Sequence, residues 1–277
     1  MSVMHETSGF LTGVGGVKLF QRTWKPEAPR GAMVLVHGMN EHIGRYEHVA
    51  AFFADQGYAV YGIDHRGYGQ SEGPRCFVDR FEDYLTDLKQ IVDQAKQEHG
   101  TPVMVGHSLG GLIAFRYASA YPETLRALIV SSPAFGQRTK VDPITKAMAP
   151  ILSTLLPRLQ MKVPFTPENV CRDPEVVKKY ATDPLVGRTA TPRWFIELNK
   201  ASLACHQGLA AAMQLPVLFL QAGGDLLVDP DATRAIHDLV PHDRKAFKLY
   251  PDMYHEIMND PDRNQVFHDM LEWMQGV

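Results

Sequence analysis

A mostly parallel, doubly wound α/β sheet interrupted by a helical insertion is the fold the sequence predicts, on three observations. Short apolar runs alternate with segments of helical spacing along both ends of the 277-residue chain. That alternation stops between Ser132 and Gly208, where prolines from Pro143 to Pro192 separate short helical pieces. Glycine-marked turns directly follow apolar runs, at His37-Gly38 and at Gly106. The composition, 45% hydrophobic with 21% charged, is that of a chain able to build a large core rather than a disordered one.

In chain order, an N-terminal strand pair precedes the run Ala32–Val36, and Tyr46–Asp55 has helical spacing and stops before Gly57. A strand is expected at Ala59–Ile63, a long amphipathic helix at Arg80–Glu98, a strand at Val103–Val105, a helix at Leu109–Ala120 and a strand at Leu125–Val130. Past the insertion come a strand at Pro216–Gln221, a helix at Asp231–Leu239, a strand at Ala246–Tyr250 and a closing helix at Asp262–Met274. Strands apolar throughout belong to a parallel sheet covered on both faces. The expected organisation is a core over 1–133, a helical cap over 134–208 and the rest of the core over 209–277.

Several classes are disfavoured. Net charge is −3 without a Lys/Arg cluster, so nucleic acid is not an expected partner. Cys76, Cys171 and Cys205 are widely spaced and odd in number, which suggests free thiols in a reducing compartment rather than a disulfide framework. No run of eighteen apolar residues and no signal-like N-terminus is present, and a cytoplasmic location is expected. His255-Glu256-Ile257-Met258-Asn259 lacks the second histidine of a zinc helix, and Gly13-Val14-Gly15-Gly16 lacks the last glycine of a dinucleotide fingerprint. Neither metal nor cofactor is called for.

The stretch VGHSLGG, Val105–Gly111, places Ser108 between an apolar strand and a helix, the setting of a nucleophile elbow. Side chains at Gly106 and Gly110 would collide with the adjoining strand and helix. A serine hydroxyl needs a base held by a carboxylate. His48, His237 and His268 fall inside expected helices, His99 ends one, His5 is in the N-terminal tail, and His206 and His242 lie in the cap and a remote loop. His107 adjoins Ser108, and neighbouring side chains on an extended segment point to opposite sides. His255 follows the last strand at the carboxyl edge of the sheet, and Asp225 follows the preceding one, with Asp229 in reserve. Leu109 N–H, at a helix start, and Met39 N–H, in the loop after Ala32–Val36, are the expected oxyanion donors.

Together HGMNEHIGRY (His37–Tyr46), DHRGYGQSEG (Asp64–Gly73), GHSLGG (Gly106–Gly111), DPL (Asp183–Leu185) and YHE (Tyr254–Glu256) resemble the monoacylglycerol lipase and lysophospholipase branch of the α/β-hydrolase superfamily. The match spans nearly the whole chain, with Asn40 where that family often has glycine. The resemblance implies an α/β-hydrolase fold whose cap forms an acyl tunnel, cleavage of monoacylglycerols to fatty acid and glycerol through an acyl-enzyme, and head-group contacts from Glu41, Arg45 and His107. An ion pair pinning the loop is an equal reading of Glu41 and Arg45. DHRG-x-G-x-S reads as a structural turn. The cap stretch Ile144–Leu159 is expected to pack the lid and line the pocket, with transient docking on a membrane or micelle as the alternative. Other substrates for the same serine chemistry are lysophospholipids, short carboxylic esters, thioesters and amino-terminal prolyl peptides, the last needing a cap carboxylate such as Glu168, Glu175 or Glu197. A non-catalytic receptor on the same fold is the reading from a different class.

Overall fold

The computed structural model describes residues 4–139, 141–241, 243 and 245–277. Eight strands form one sheet: β1 (Met4–Thr12), β2 (Lys18–Pro26), β3 (Gly31–Val36), β4 (Tyr58–Ile63), β5 (Val103–His107), β6 (Ala127–Ser131), β9 (Val217–Ala222) and β10 (Ala246–Tyr250). Their order is β1-β2-β4-β3-β5-β6-β9-β10, antiparallel at β1–β2 and β2–β4 and parallel from there on. Two-residue strands β7 (Met161–Lys162) and β8 (Thr189–Ala190) pair with each other in the segment between β6 and β9.

The central strands are buried along their length, β4, β5, β6 and β9 completely. Side chains alternate between two apolar layers because the strand period is two. Val34, Met104, Leu128 and Phe219 face one layer, where α2 (Glu82–His99) and α3 (Leu109–Ala120) supply Leu88, Ile91, Leu112 and Phe115. Met33, Val105, Ile129 and Leu220 face the other, where α1 (Glu47–Asp55) and α8 (Arg263–Gln275) supply Val49, Phe53, Phe267 and Met270. This explains why the strands read as unbroken apolar runs.

Between β6 and β9 lie α4 (Pro143–Leu155), α5 (Pro174–Thr182) and α6 (Pro192–Ala204); α7 (Pro230–Leu239) follows β9. All four begin with the same device. Asp142, Asp173, Thr191 and Asp229 accept a first-turn amide while proline occupies the first helical position. Several prolines of the insertion are therefore helix starts. Pro150 instead lies inside α4.

The DHRG-x-G-x-S turn is a self-bonded loop. Asp64 accepts the amides of Ile43 at 2.7 Å and Gln70 at 2.8 Å, and Ser71 Oγ donates to Asp64 O at 2.6 Å. A side chain at Gly69 would lie 2.1 Å from Asp64 Oδ2.

Sheet order determines where a cleft can form. From β3 the chain moves outward to β4 and then returns to the other side of β3 as β5, so the loops after β3 and β5 diverge from one point. Ligands of open α/β sheets bind at such a switch point, outside the strands' carboxyl ends.

The layers holding this edge in place give a direct expectation. Phe115 is fully buried against Phe135 at a 5.1 Å ring separation. Phe115→Ala is expected to lower unfolding free energy by about 3–5 kcal/mol in urea titrations.

Candidate active site

Ser108 sits at φ 54°, ψ −118°, in the left-handed region that a residue with a side chain occupies at a cost of about 1–3 kcal/mol. Its neighbours make the turn possible. A Cβ on Gly106 would lie 2.3 Å from Gly110 O, and one on Gly110 would lie 2.2 Å from Val36 O. The turn is held by Ser108 N–H to Ser131 O at 2.9 Å and by Ala134 N–H to Ser108 O at 3.0 Å. Leu109 opens α3, so its N–H is among those without an acceptor inside the helix. Gly38 comes up beside the serine: a Cβ there would be 3.2 Å from Ser108 Cβ.

His255 and Asp225 stand on the loops after β10 and β9, and His255 Nδ1 lies 2.8 Å from Asp225 Oδ2. Against a carboxylate, Nδ1 is the donor, which leaves Nε2 as the acceptor of the neutral ring. The other oxygen, Oδ1, accepts the amides of Leu227 at 2.8 Å and Val228 at 3.0 Å. Burial alone would raise the Asp225 carboxyl, but the His255 ring and these amides outweigh it and hold it below the usual value. Burial alone would lower His255, but Asp225, Glu256 and Glu41 outweigh it and raise it. Asp229 caps α7, accepting the Asp231 amide at 3.1 Å.

His107 does reach the site. Its ring lies 4.7 Å from the His255 ring, with Nδ1 turned to Ser131 O at 3.1 Å. Strand alternation ceases to apply at this point because the chain bends at Ser108. Burial, then the neighbouring His255, pushes His107 down to about 3, so its ring is neutral.

Glu41 and Arg45 belong to a buried ion cluster. Arg45 Nη1 donates to Glu41 Oε2 at 2.6 Å, and Arg45 forks onto Glu256 at 2.7 and 2.6 Å. The Arg45 guanidinium also lies 4.8 Å from the Tyr180 ring centre. Burial outweighs Arg45 at Glu41, whose carboxyl is raised, whereas Arg45 outweighs burial at Glu256 and holds it at about 2. The partner of Glu256 stands 211 positions away, and no local pattern in the sequence links the two.

One cavity brings these elements together. Gly38, Met39, Glu41, His107, Ser108, Leu109, His255 and Glu256 line it from the sheet edge, while Leu152, Val163, Phe165, Trp194, Phe195 and Leu198 line it from the insertion. Asp225 stands behind His255, fully buried. Of the other histidines, His48, His237 and His268 lie in helices, His99 ends α2, His5 is in β1, His206 Nε2 donates to Phe135 O at 3.0 Å, and His242 lies outside the described residues. The insertion is tied down at its base by Arg172, forked on Asp260 at 2.9 and 2.6 Å, and by His42 Nε2 with Asp183 Oδ2 at 2.9 Å. Among the described residues, no helix is long and apolar enough to cross a membrane.

Helix α4 presents two faces. Thr145, Ala149 and Leu152 line the cavity, and Ile144, Met148, Ile151 and Leu155 are exposed on the outside, Ile144 by 76% and Leu155 by 71%. Cavity lining and the outward display of apolar side chains coexist on one helix.

Residues 27–262 match the family model described as "Hydrolase_4: Serine aminopeptidase, S33". The chain is 35% identical to a monoacylglycerol lipase of Mycolicibacterium smegmatis over 270 residues, 95% of each chain. It is 29% identical to the phospholipase YtpA of Bacillus subtilis, over 88% of this chain and 95% of that one. The crystal structure of Paleococcus ferrophilus monoacylglycerol lipase superposes with a TM-score of 0.85 at 29% identity, over 92% of this chain and 97% of that one.

The elbow is the most constrained element of the site. Gly110→Ala is expected to destabilise the fold by about 3 kcal/mol, because the added methyl meets backbone oxygens that cannot step aside. Denaturant titration checks it, and a wild-type midpoint would contradict the packing described.

Proposed function

This chain belongs to the Hydrolase_4 family of α/β-hydrolases, and we propose that it is a serine ester hydrolase that cleaves monoacylglycerols to fatty acid and glycerol. One observation carries this reading. A serine held in a strained elbow shares a cavity with a histidine backed by a buried carboxylate, and that cavity is walled by apolar side chains from the insertion. The relatives named for monoacylglycerol hydrolysis support the substrate class.

In this mechanism Ser108 Oγ attacks the ester carbonyl carbon while His255 Nε2 takes its proton, and Asp225 fixes the ring and offsets the imidazolium charge. The oxyanion lies against the amides of Met39 and Leu109, each donor contributing about 3 kcal/mol at the transition state. Collapse breaks the ester bond, and the glycerol oxygen leaves with the proton from His255. Water then gives a proton to His255 and adds to the acyl-serine; the same proton returns to Ser108 as the fatty acid departs. Residues 134–208 serve as the lid that holds the acyl chain.

The lysophospholipase reading keeps the chemistry and changes the leaving group. The guanidinium of Arg45 is already taken by two carboxylates, which favours an uncharged glycerol over a phosphodiester there. An aminopeptidase needs a free carboxylate for the substrate's ammonium, and Glu41 and Glu256, which line the cavity, are both bonded to Arg45. Among the described residues Glu168, Glu175 and Glu197 do not line the cavity, and Glu197 is engaged by Lys200 and the Phe81 amide.

Purified protein is expected to hydrolyse monoacylglycerols and p-nitrophenyl esters over lysophosphatidylcholine, with no turnover of a prolyl arylamide. Ser108→Ala should lose at least about a thousandfold in kcat. Arylamide turnover without ester turnover overturns the substrate class. Undiminished hydrolysis by the variant overturns Ser108, and an inert parent protein favours the receptor reading.

The outward stripe of α4 is proposed to rest on the lipid surface that supplies the substrate, as interfacial helices do. Replacing Ile151 and Leu155 together by Asp should abolish co-flotation with phosphatidylcholine vesicles and leave hydrolysis of a soluble short-chain ester unchanged. Equal flotation of both proteins would refute this.

A further inference from the structure

The loops after β3 and β10 are far apart in sequence, yet one guanidinium holds both. Arg45 bonds Glu41 on its own loop and forks onto Glu256, which directly follows His255. Each carboxylate has a second engagement. Glu41 Oε1 accepts the Gly38 N–H at 2.6 Å and the Tyr46 hydroxyl at 2.8 Å. Glu256 Oε2 accepts from Asn259 Nδ2 at 2.8 Å, and the Glu256 N–H donates to Val170 O at 2.8 Å. Gly38 is fixed on its other side as well, since His37 Nδ1 bonds Gly38 O at 2.8 Å. The Gly38 carbonyl shares its peptide plane with the Met39 N–H and points the opposite way, so holding that carbonyl aims the N–H.

Three buried charges are a poor investment in stability alone, since an apolar set of equal volume commonly does as well. What this set does is fix a distance. We propose that Arg45 and Glu256 are positioning residues: the Arg45 fork locks the Gly38–Met39 turn and the His255 loop at one spacing, and it holds the Glu256 carboxylate directly beside His255. The proposal rests on the roles assigned above to Ser108, His255 and Asp225.

The charged and titratable groups around His255 are Asp225 from the loop after β9, Glu41 from the loop after β3, His107 from β5, and Glu256 beside it, with Arg45 bonded to both glutamates. His107 is neutral there, and the carboxylates together raise His255. Base catalysis requires the neutral ring, so activity is lost as pH falls through the His255 pKa. Glu256→Gln removes an anion and leaves the Arg45 cation less balanced. Both changes lower the His255 pKa and move the acid limb to lower pH.

The test measures glycerol release from a short-chain monoacylglycerol across pH, with thermal melts of every variant. For Glu256→Gln, the acid limb of kcat/KM is expected to move down by about half a unit or more. Arg45→Met should lose about 10–100-fold in kcat with KM little changed, because alignment is lost rather than binding. Arg45→Lys keeps the charge without the planar fork and should recover part of that loss. An unmoved acid limb in folded Glu256→Gln overturns the proposal, as does an Arg45→Met loss that appears in KM alone. Ser108→Ala separates the two levels. If it retains hydrolysis, the underlying assignment fails; if it is inactive while the Glu256 and Arg45 variants behave as wild type, only the positioning roles fail.

Discussion

The close approach of α3 to the end of β3 is the constraint on which the rest of the cavity depends. At Gly110 the helix backbone lies near enough to Val36 O and His37 O that no side chain fits between them. That contact brings Ser108 against Gly38 and sets two strand ends at one opening. Because close-packed interiors deform little, the unfavourable backbone of Ser108 persists through its surroundings rather than through any local preference. The strain is affordable only where a sheet and a helix meet on both sides.

Much of the framework is readable from the chain because burial on both faces of a parallel sheet leaves a plain mark. Ala246–Tyr250 and Leu109–Ala120 are placed as expected, and the other core elements differ by a few residues at their ends. β5 runs on to His107 because its ladder with β6 continues to Ser131. The exposed edge strand β1 is different. Its side chains are largely solvated, so it leaves little periodic signal, and His5 looks like part of a tail although it pairs with Lys25.

Candidate site residues were legible where position along a strand decides them, as for Ser108, Asp225 and His255. They were not legible where a long-range partner decides them. Arg45 carries no mark in sequence of the Glu256 fork, and Glu41 none of the Gly38 amide and Tyr46 hydroxyl that it accepts. His107 shows a third kind of limit. Alternation is a property of extended chain, and it lapses at the residue where the chain turns.

Helix α4 presents two separate apolar surfaces on neighbouring residues. Ile151 faces outward and Leu152 lines the cavity, one peptide apart and a hundred degrees around the axis. Substitutions can therefore drift on the outer stripe without altering the shape of the space within, and the reverse also holds. Descendants of such a chain can alter the outer surface and the cavity wall in separate steps, through a segment that leaves the elbow untouched.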